Sequence, residues 1–138
     1  MANEQPDEKL SFVLKSLQNP DMYTRLNALR ELEAHPQAAA VEALIHVLRH
    51  DDYDAVRGMA AVALGKLKDP RAVRPLLETL QYDSPYVTNY AVTALGEIGD
   101  PQSIPPLREA LLHGNLYTHA AITKALLKIQ QQESKEEK

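Results

Sequence analysis

The fold is decided by the stretch AVRGMAAVALGKLKDPRAVRPLLETL, residues 55–80, and by its near copy YVTNYAVTALGEIGDPQSIPPLREAL, residues 86–111. The copy follows at a spacing of 31 residues, so that Gly65 corresponds to Gly96. Self-similarity at a period of 20–50 residues is typical of proteins built from stacked structural units. The sequence therefore predicts a repeat array.

The repeat continues on both sides of these two strings. A step of 32 residues takes Arg25 to Arg57, and a step of 31 takes Leu95 to Leu126. Each unit holds two segments whose apolar residues recur at spacings of three and four, the pattern of an amphipathic helix. We expect eight helices, at about 7–18, 21–34, 37–49, 53–67, 70–81, 84–98, 101–112 and 115–130.

These helices predict an all-α protein, an α-solenoid of about four helix pairs. Neighbouring units of such an array bury each other's apolar stripes, which makes one continuous core. We expect a single domain over residues 7–130, preceded by a flexible N-terminus, 1–6, and followed by a disordered charged tail, 131–138.

Composition and charge exclude several classes of function. The net charge of −4 and the pI of about 5.7 disfavour nucleic-acid binding, which needs a basic surface. The absence of cysteine excludes disulfides and thiolate catalysis. The sequence has no apolar run long enough to span a membrane and no signal-peptide pattern at its start, so a cytoplasmic location is expected.

No motif for catalysis or for a cofactor emerges. His46 and His50 stand four residues apart, as two zinc ligands on one helix face would, but the motif H-E-x-x-H is missing. A nucleophile elbow and a phosphate-binding glycine loop are also missing. We therefore expect no catalytic residue, no metal site and no cofactor.

The pattern V-R-x-x-A-x-x-A-L-G-x-L-x-D-P, which begins at Val56, resembles HEAT repeats, and in particular the HEAT-like sub-type named after phycobilisome lyases. The resemblance implies that the second helix of each pair lines the concave face. It also implies a structural ladder between units, formed by Arg25, Arg57, Asp69 and Asp100. Finally, it leaves open a lyase-like accessory role in which bilin or a phycobiliprotein is bound.

The expected function is that of a non-catalytic scaffold that binds another protein. Aromatic and charged side chains that recur at the repeat spacing are candidates for the contact, since Tyr and Arg are frequent anchors at interfaces. Tyr90 stands at the position of Met59 and is expected in the core instead. The partner-binding candidates are His46, Arg49, His50, Arg74, Glu78, Tyr82, Tyr86, Arg108, Glu109, His113 and Tyr117.

Overall fold

The computed structural model describes residues 6–136 and confirms the all-α solenoid. These residues form eight α-helices and no strand. The helices are α1 (Pro6–Ser16), α2 (Met22–Ala34), α3 (Val41–His50), α4 (Asp54–Leu67), α5 (Val73–Tyr82), α6 (Pro85–Ile98), α7 (Ile104–His113) and α8 (Leu116–Glu136).

The two helices of a pair are joined by a sharp turn that contains one turn of 3-10 helix. Asp69 and Asp100 begin two of these turns, and each carboxylate accepts a hydrogen bond from the backbone N–H two residues later. A proline follows each aspartate, where its missing N–H costs nothing. The Asp-Pro pairs are therefore the reason why the chain folds back at these points.

The first helices of successive pairs, α2, α4, α6 and α8, form what we call the first-helix layer. Within it, α4 packs along the length of α6, and α6 along α8. A Cβ atom added at Gly65 would lie 2.9 Å from Ala94, and one added at Gly96 would lie 3.1 Å from Ala125. The two glycines thus allow close helix contact, whereas Glu33, at the matching position of α2, accompanies looser packing on α4.

The second-helix layer, made of α1, α3, α5 and α7, is more open. Its helix α3 touches α5 at few points, and each helix packs mainly on a first helix. In a curved stack of helix pairs, the more closely spaced layer lies on the inside. This spacing favours the first-helix layer over the second helices as the concave side; the sequence-based expectation did not include the close contacts that Gly65 and Gly96 allow.

The last helix runs further than its apolar stripe predicts. Helix α8 ends at Glu136, although the sequence predicts an end near 130 and a disordered tail over 131–138. Gln132 explains part of the difference, because its side chain lies against the backbone of Gly99 and is half-buried there. The rest of the predicted tail, 137–138, and residues 1–5 of the predicted flexible N-terminus lie outside the described residues.

Candidate functional site

A series of partly buried arginine contacts joins the turns between successive units. The guanidinium of Arg25 donates to both carboxylate oxygens of Asp51, at 2.7 and 3.2 Å, and to the backbone carbonyls of Asn19 and Pro20. One unit later, Arg57 donates to both carboxylate oxygens of Asp83, each at 3.0 Å. Bidentate pairs of this kind fix geometry as well as charge.

The carboxylates of this ladder are those of Asp51 and Asp83, whereas the sequence pointed to Asp69 and Asp100. The latter two cap the 3-10 turns, and the side chain of Asp69 also pairs with Arg71 at 2.8 Å. A usable signal was present in the sequence, because Asp51 and Asp83 are separated by the same 32 residues as Arg25 and Arg57.

Both halves of the ladder change together in the third unit. The position after Arg57 is held by Thr88, and the position after Asp83 is held by Gly114. The Thr88 hydroxyl donates instead to the backbone carbonyl of Thr79 at 3.1 Å. Because Gly114 stands where a carboxylate would be, the absence of the arginine leaves no carboxylate without a partner at this position. The arginine ladder therefore stabilises only the N-terminal half of the described residues.

Most of the predicted partner-binding residues lie on the second-helix layer. A groove between α5 and α7 is lined by Arg74, Glu78, Glu109 and His113, among others. Glu78 pairs with Arg49 at 3.2 Å, and Glu109 lies 4.0 Å from His113. Glu78 is therefore already partnered by Arg49 within the chain, at exposed positions where ion pairs are weak.

The remaining candidates of this layer stand apart from that groove. The rings of His46 and His50 lie 4.7 Å apart, and the described residues contain no group of three side chains that could hold a metal ion. Tyr82 is 84% exposed. Arg108 is exposed and takes part in none of the ion pairs formed among residues 6–136.

A second groove lies on the first-helix layer, between α6 and α8. We call it the tyrosine groove; it is lined by Tyr86, Asn89, Tyr90, Thr93, Tyr117, Ala120 and Ala121. The structure therefore separates Tyr86 and Tyr117 from the other predicted residues and brings them together here. Tyr90, expected in the core, is 38% exposed and belongs to the same groove, because the small residues Ala120 and Ala121 stand opposite.

The tyrosine rings are held in a fixed arrangement. Tyr86 and Tyr90 meet edge to face, with ring centres 5.1 Å apart, the geometry that aromatic pairs prefer. Both rings lie over Gly58 of α4, where an added Cβ would come within 3.0 Å of Tyr86 and 3.1 Å of Tyr90. Partial burial, the neighbouring Tyr90 and the charge of Asp54 all raise the pKa of the Tyr86 phenol. The ring is therefore uncharged at neutral pH.

One polar atom of the tyrosine groove lacks a partner. The side-chain oxygen Oδ1 of Asn89 is buried and, in the part of the chain that the structure describes, accepts no hydrogen bond. A buried acceptor without a donor costs roughly 1–3 kcal/mol, so such atoms are uncommon unless they serve a purpose. The groove thus combines aromatic faces with an unused acceptor.

Comparison with known proteins supports the repeat reading. The sequence matches the family described as HEAT repeats over residues 10–89 and 76–137. A search among curated proteins found no significant match. Within residues 6–136, none of the helices has the length and hydrophobicity that a membrane crossing requires.

Solved structures provide a further relative. The chain is similar to one in the complex of CpcE and CpcF of phycocyanin lyase from Nostoc sp. PCC7120, with 27% identity and a TM-score of 0.78. The match covers 94% of this chain but 56% of that chain. The present sequence therefore spans little more than half the length of its structural relative.

Proposed function

The chain belongs to the HEAT-repeat family, and on that premise we propose that it is a non-catalytic scaffold that binds a protein partner on its first-helix layer, at the tyrosine groove. The observation that carries this proposal is the cluster of Tyr86, Tyr90 and Tyr117 on one open surface. Exposed tyrosines that are held rigidly supply contact area at little entropic cost, which is why they are frequent at interfaces.

The groove of the second-helix layer is less suited to be the centre of a protein interface. This groove, between α5 and α7, includes the charged side chains of Arg74, Glu78 and Glu109, of which Glu78 is already paired with Arg49. Interface centres are usually depleted in charge and enriched in aromatic residues. The tyrosine groove fits that description better, and its phenol, amide and hydroxyl groups are suited to recognition.

The test is capture of a partner by tagged protein from native lysate, with two matched variants. Tyr117 and Tyr82 are 78% and 84% exposed, on the first-helix and second-helix layers respectively. We expect Tyr117→Ala to lose a partner that the unchanged protein and Tyr82→Ala both retain. A partner lost only with Tyr82→Ala would move the binding surface to the second-helix layer and contradict the proposal.

A lyase-like accessory role is the second candidate, and the similarity to a chain of the phycocyanin lyase complex favours it. Because the similar chain was solved in a complex of two proteins, a lyase-like role is best tested with a partner present. The test is to incubate the protein, alone and with its captured partner, with bilin and apo-phycocyanin. A new absorbance band that survives denaturation would support this role and contradict a purely non-catalytic scaffold.

A further inference from the structure

We propose that two copies of the chain associate through the outer face of α8, with the two α8 helices antiparallel across a two-fold axis. This face carries four exposed residues, which we call the end stripe: Leu116, Ala120, Thr123 and Leu127. Their spacings of four, three and four residues place them on one side of the helix. The inference goes beyond the proposed function, because the two leucines of the end stripe do not line the tyrosine groove.

The same side of the preceding first helix is an interface within the array. A step of 31 residues leads back from Leu127 to Gly96 and Gly65, and from Thr123 to Val92. Gly96 and Val92 are buried, and Gly96 lies against α8. Leu127 is 55% exposed and Thr123 is exposed, because within residues 6–136 no helix follows α8. The end stripe therefore continues the interface of the first-helix layer.

Helix α7 widens this face. Leu112 and Arg108 stand one repeat after Gln81 and Leu77, which line the groove between α5 and α7 from the α5 side. Both residues therefore lie on the side of α7 that points away from α5, at the same end of the array as the end stripe. Leu112 is 78% exposed and Leu116 is 80% exposed. Exposed apolar surface concentrated at one end of a protein commonly marks an interaction site.

A head-to-tail contact, which would lengthen the array, is disfavoured by both of the surfaces it would join. A Cβ atom added at Gly65 would lie 2.9 Å from Ala94, so the close contact between first helices requires small residues on both sides. Helix α8 has Leu127 at the glycine position. Helix α2 of the next copy would present Glu31, which stands at the repeat position of Ala94 and pairs with Lys9 at 3.2 Å. A leucine against this ion pair would hold the helices apart and remove water from the charges.

The end stripe is instead complementary to itself. Its large residues, Leu116 and Leu127, stand at the two ends, and its small residues, Ala120 and Thr123, stand in the middle. When two such stripes cross in antiparallel orientation, the small residues meet near the axis and allow close approach, and each Leu116 lies beside Leu127 of the other copy. Every lysine of α8 follows the axis along the chain, so this arrangement keeps the lysines of the two copies apart.

The size of the face predicts a weak dimer. Helix α7 has 10 residues and α8 has 21, which correspond to lengths of about 15 and 30 Å. With neighbouring helix axes about 10 Å apart, the face covers roughly 450 Å² per copy, and the contact buries roughly 900 Å² in total. Specific complexes of standard size bury about 1,200–2,000 Å², and smaller contacts belong to reversible associations. We therefore expect a dissociation constant in the micromolar range.

The first experiment is sedimentation velocity of the full chain at concentrations from about 10 to 500 µM. We expect a monomer–dimer equilibrium without larger species. Leu116→Glu and Leu127→Glu should each weaken the dimer by about tenfold or more, because a carboxylate would be buried. The controls are Tyr82→Glu, at an 84% exposed position of the second-helix layer, and Phe12→Glu, at a 72% exposed position of the opposite end; both should dimerise as the unchanged protein does. Circular dichroism and urea denaturation check that each variant is folded.

The second experiment uses the absence of cysteine from the sequence. In a two-fold contact, a residue close to the axis meets its own copy, whereas in a head-to-tail contact it does not. A short bismaleimide should therefore join two molecules of Thr123→Cys into a covalent dimer, and it should leave Phe12→Cys monomeric under the same conditions.

The outcomes decide between the two arrangements. A monomer at every concentration, or a dimer that survives both leucine variants, overturns the inference. Growth beyond the dimer, or dissociation by Phe12→Glu, indicates a head-to-tail contact and overturns it as well. Capture of a partner that depends on Tyr117 is a separate measurement, so failure of the dimer leaves the proposed function standing.

Discussion

The guanidinium of Arg57 donates a hydrogen bond to the backbone carbonyl of Asp51 at 2.7 Å. The carboxylate of Asp51 accepts hydrogen bonds from the preceding arginine, Arg25, so this one residue contacts the arginines of two successive units. Because Arg57 also binds Asp83, the turns after α1, α3 and α5 are joined by an unbroken series of contacts. The series holds the N-terminal half of the solenoid in register.

Removal of an arginine from this series should cost far more than removal of one from the surface. Arg57→Ala leaves the carboxylate of Asp83 largely buried without its partner, and we expect the free energy of unfolding to fall by about 2–4 kcal/mol. The control is Arg49→Ala, which breaks the exposed pair with Glu78 and should cost less than about 1 kcal/mol. Urea denaturation measures both, and similar losses for the two variants would contradict a structural ladder.

The close approach of α4 and α6 predicts a second difference, between two glycines of the same helix. Gly65→Ala places a methyl group against the backbone of Ala94, and overpacking of this kind costs about 1–3 kcal/mol. Gly58→Ala places a methyl group 3.0 Å from the ring of Tyr86 and 3.1 Å from that of Tyr90, and a small shift of these partly exposed rings relieves the contact, while the helix gains up to about 1 kcal/mol in propensity. We expect a clear loss of stability for Gly65→Ala and little change for Gly58→Ala.

The measurement for this pair is thermal unfolding, with tyrosine fluorescence as a second readout. Gly58→Ala should alter the tyrosine fluorescence, because the rings over that position must move, with little change in melting temperature. Gly65→Ala should instead lower the melting temperature. If Gly65→Ala proved as stable as the unchanged protein, the first-helix layer would not be held together by backbone contact at that position, and its assignment as the inner layer would lose its main support.

The helices and the arginines of the ladder could be predicted from the sequence, but the arrangement of the two helix layers could not. Amphipathic spacing shows which residues of each helix are buried, yet it does not say which layer is more closely spaced, because that depends on contacts between units. The exposure of Tyr90 has the same origin: the apolar position it shares with Met59 is open only because Ala120 and Ala121 stand across from it. The ladder carboxylates, by contrast, were recoverable from the spacing of Asp51 and Asp83.

The C-terminal ends of α4 and α6 predict opposite changes in stability when a glycine is introduced at one and removed from the other. Lys68 ends α4 with φ of 54°, a left-handed conformation that side chains with a Cβ adopt at a cost of roughly 1 kcal/mol. Gly99 ends α6 with φ of 76°. We expect Lys68→Gly to raise the free energy of unfolding by up to about 1 kcal/mol and Gly99→Ala to lower it by at least as much. Chemical denaturation of both variants tests the pair; destabilisation by Lys68→Gly would show that its side chain has a role beyond the turn.

The cap of α2 predicts a dependence on pH. The hydrogen bonds that the Thr24 side chain and backbone donate to Asp21 lower the pKa of that carboxyl group. A lowered pKa means that the contribution to stability is present above the ordinary value near 3.8 and is lost as the pH falls through the lower, folded value. Asp21→Ala should therefore melt at a lower temperature than the unchanged protein at pH 7. The two melting temperatures should converge as the pH falls below the lowered pKa of Asp21, and a constant difference across the acidic range would contradict this assignment of the cap.

The last turns of α8 test where the ordered array ends. Gln132 lies against Gly99, at the corner between α6 and the following 3-10 turn, so residues 131–136 contribute contacts to the third unit. Truncation after Gln130 removes these contacts, and we expect it to lower the free energy of unfolding by about 1 kcal/mol, a loss comparable to that of a helix cap. Truncation after Glu136 serves as the control and should change nothing measurable. If both truncated proteins unfold like the full chain, the extension of α8 beyond Gln130 adds no stability, and the sequence-based end of the domain at 130 is the better description. If only the first is destabilised, Gly99 and Gln132 together form the closing contact of the array.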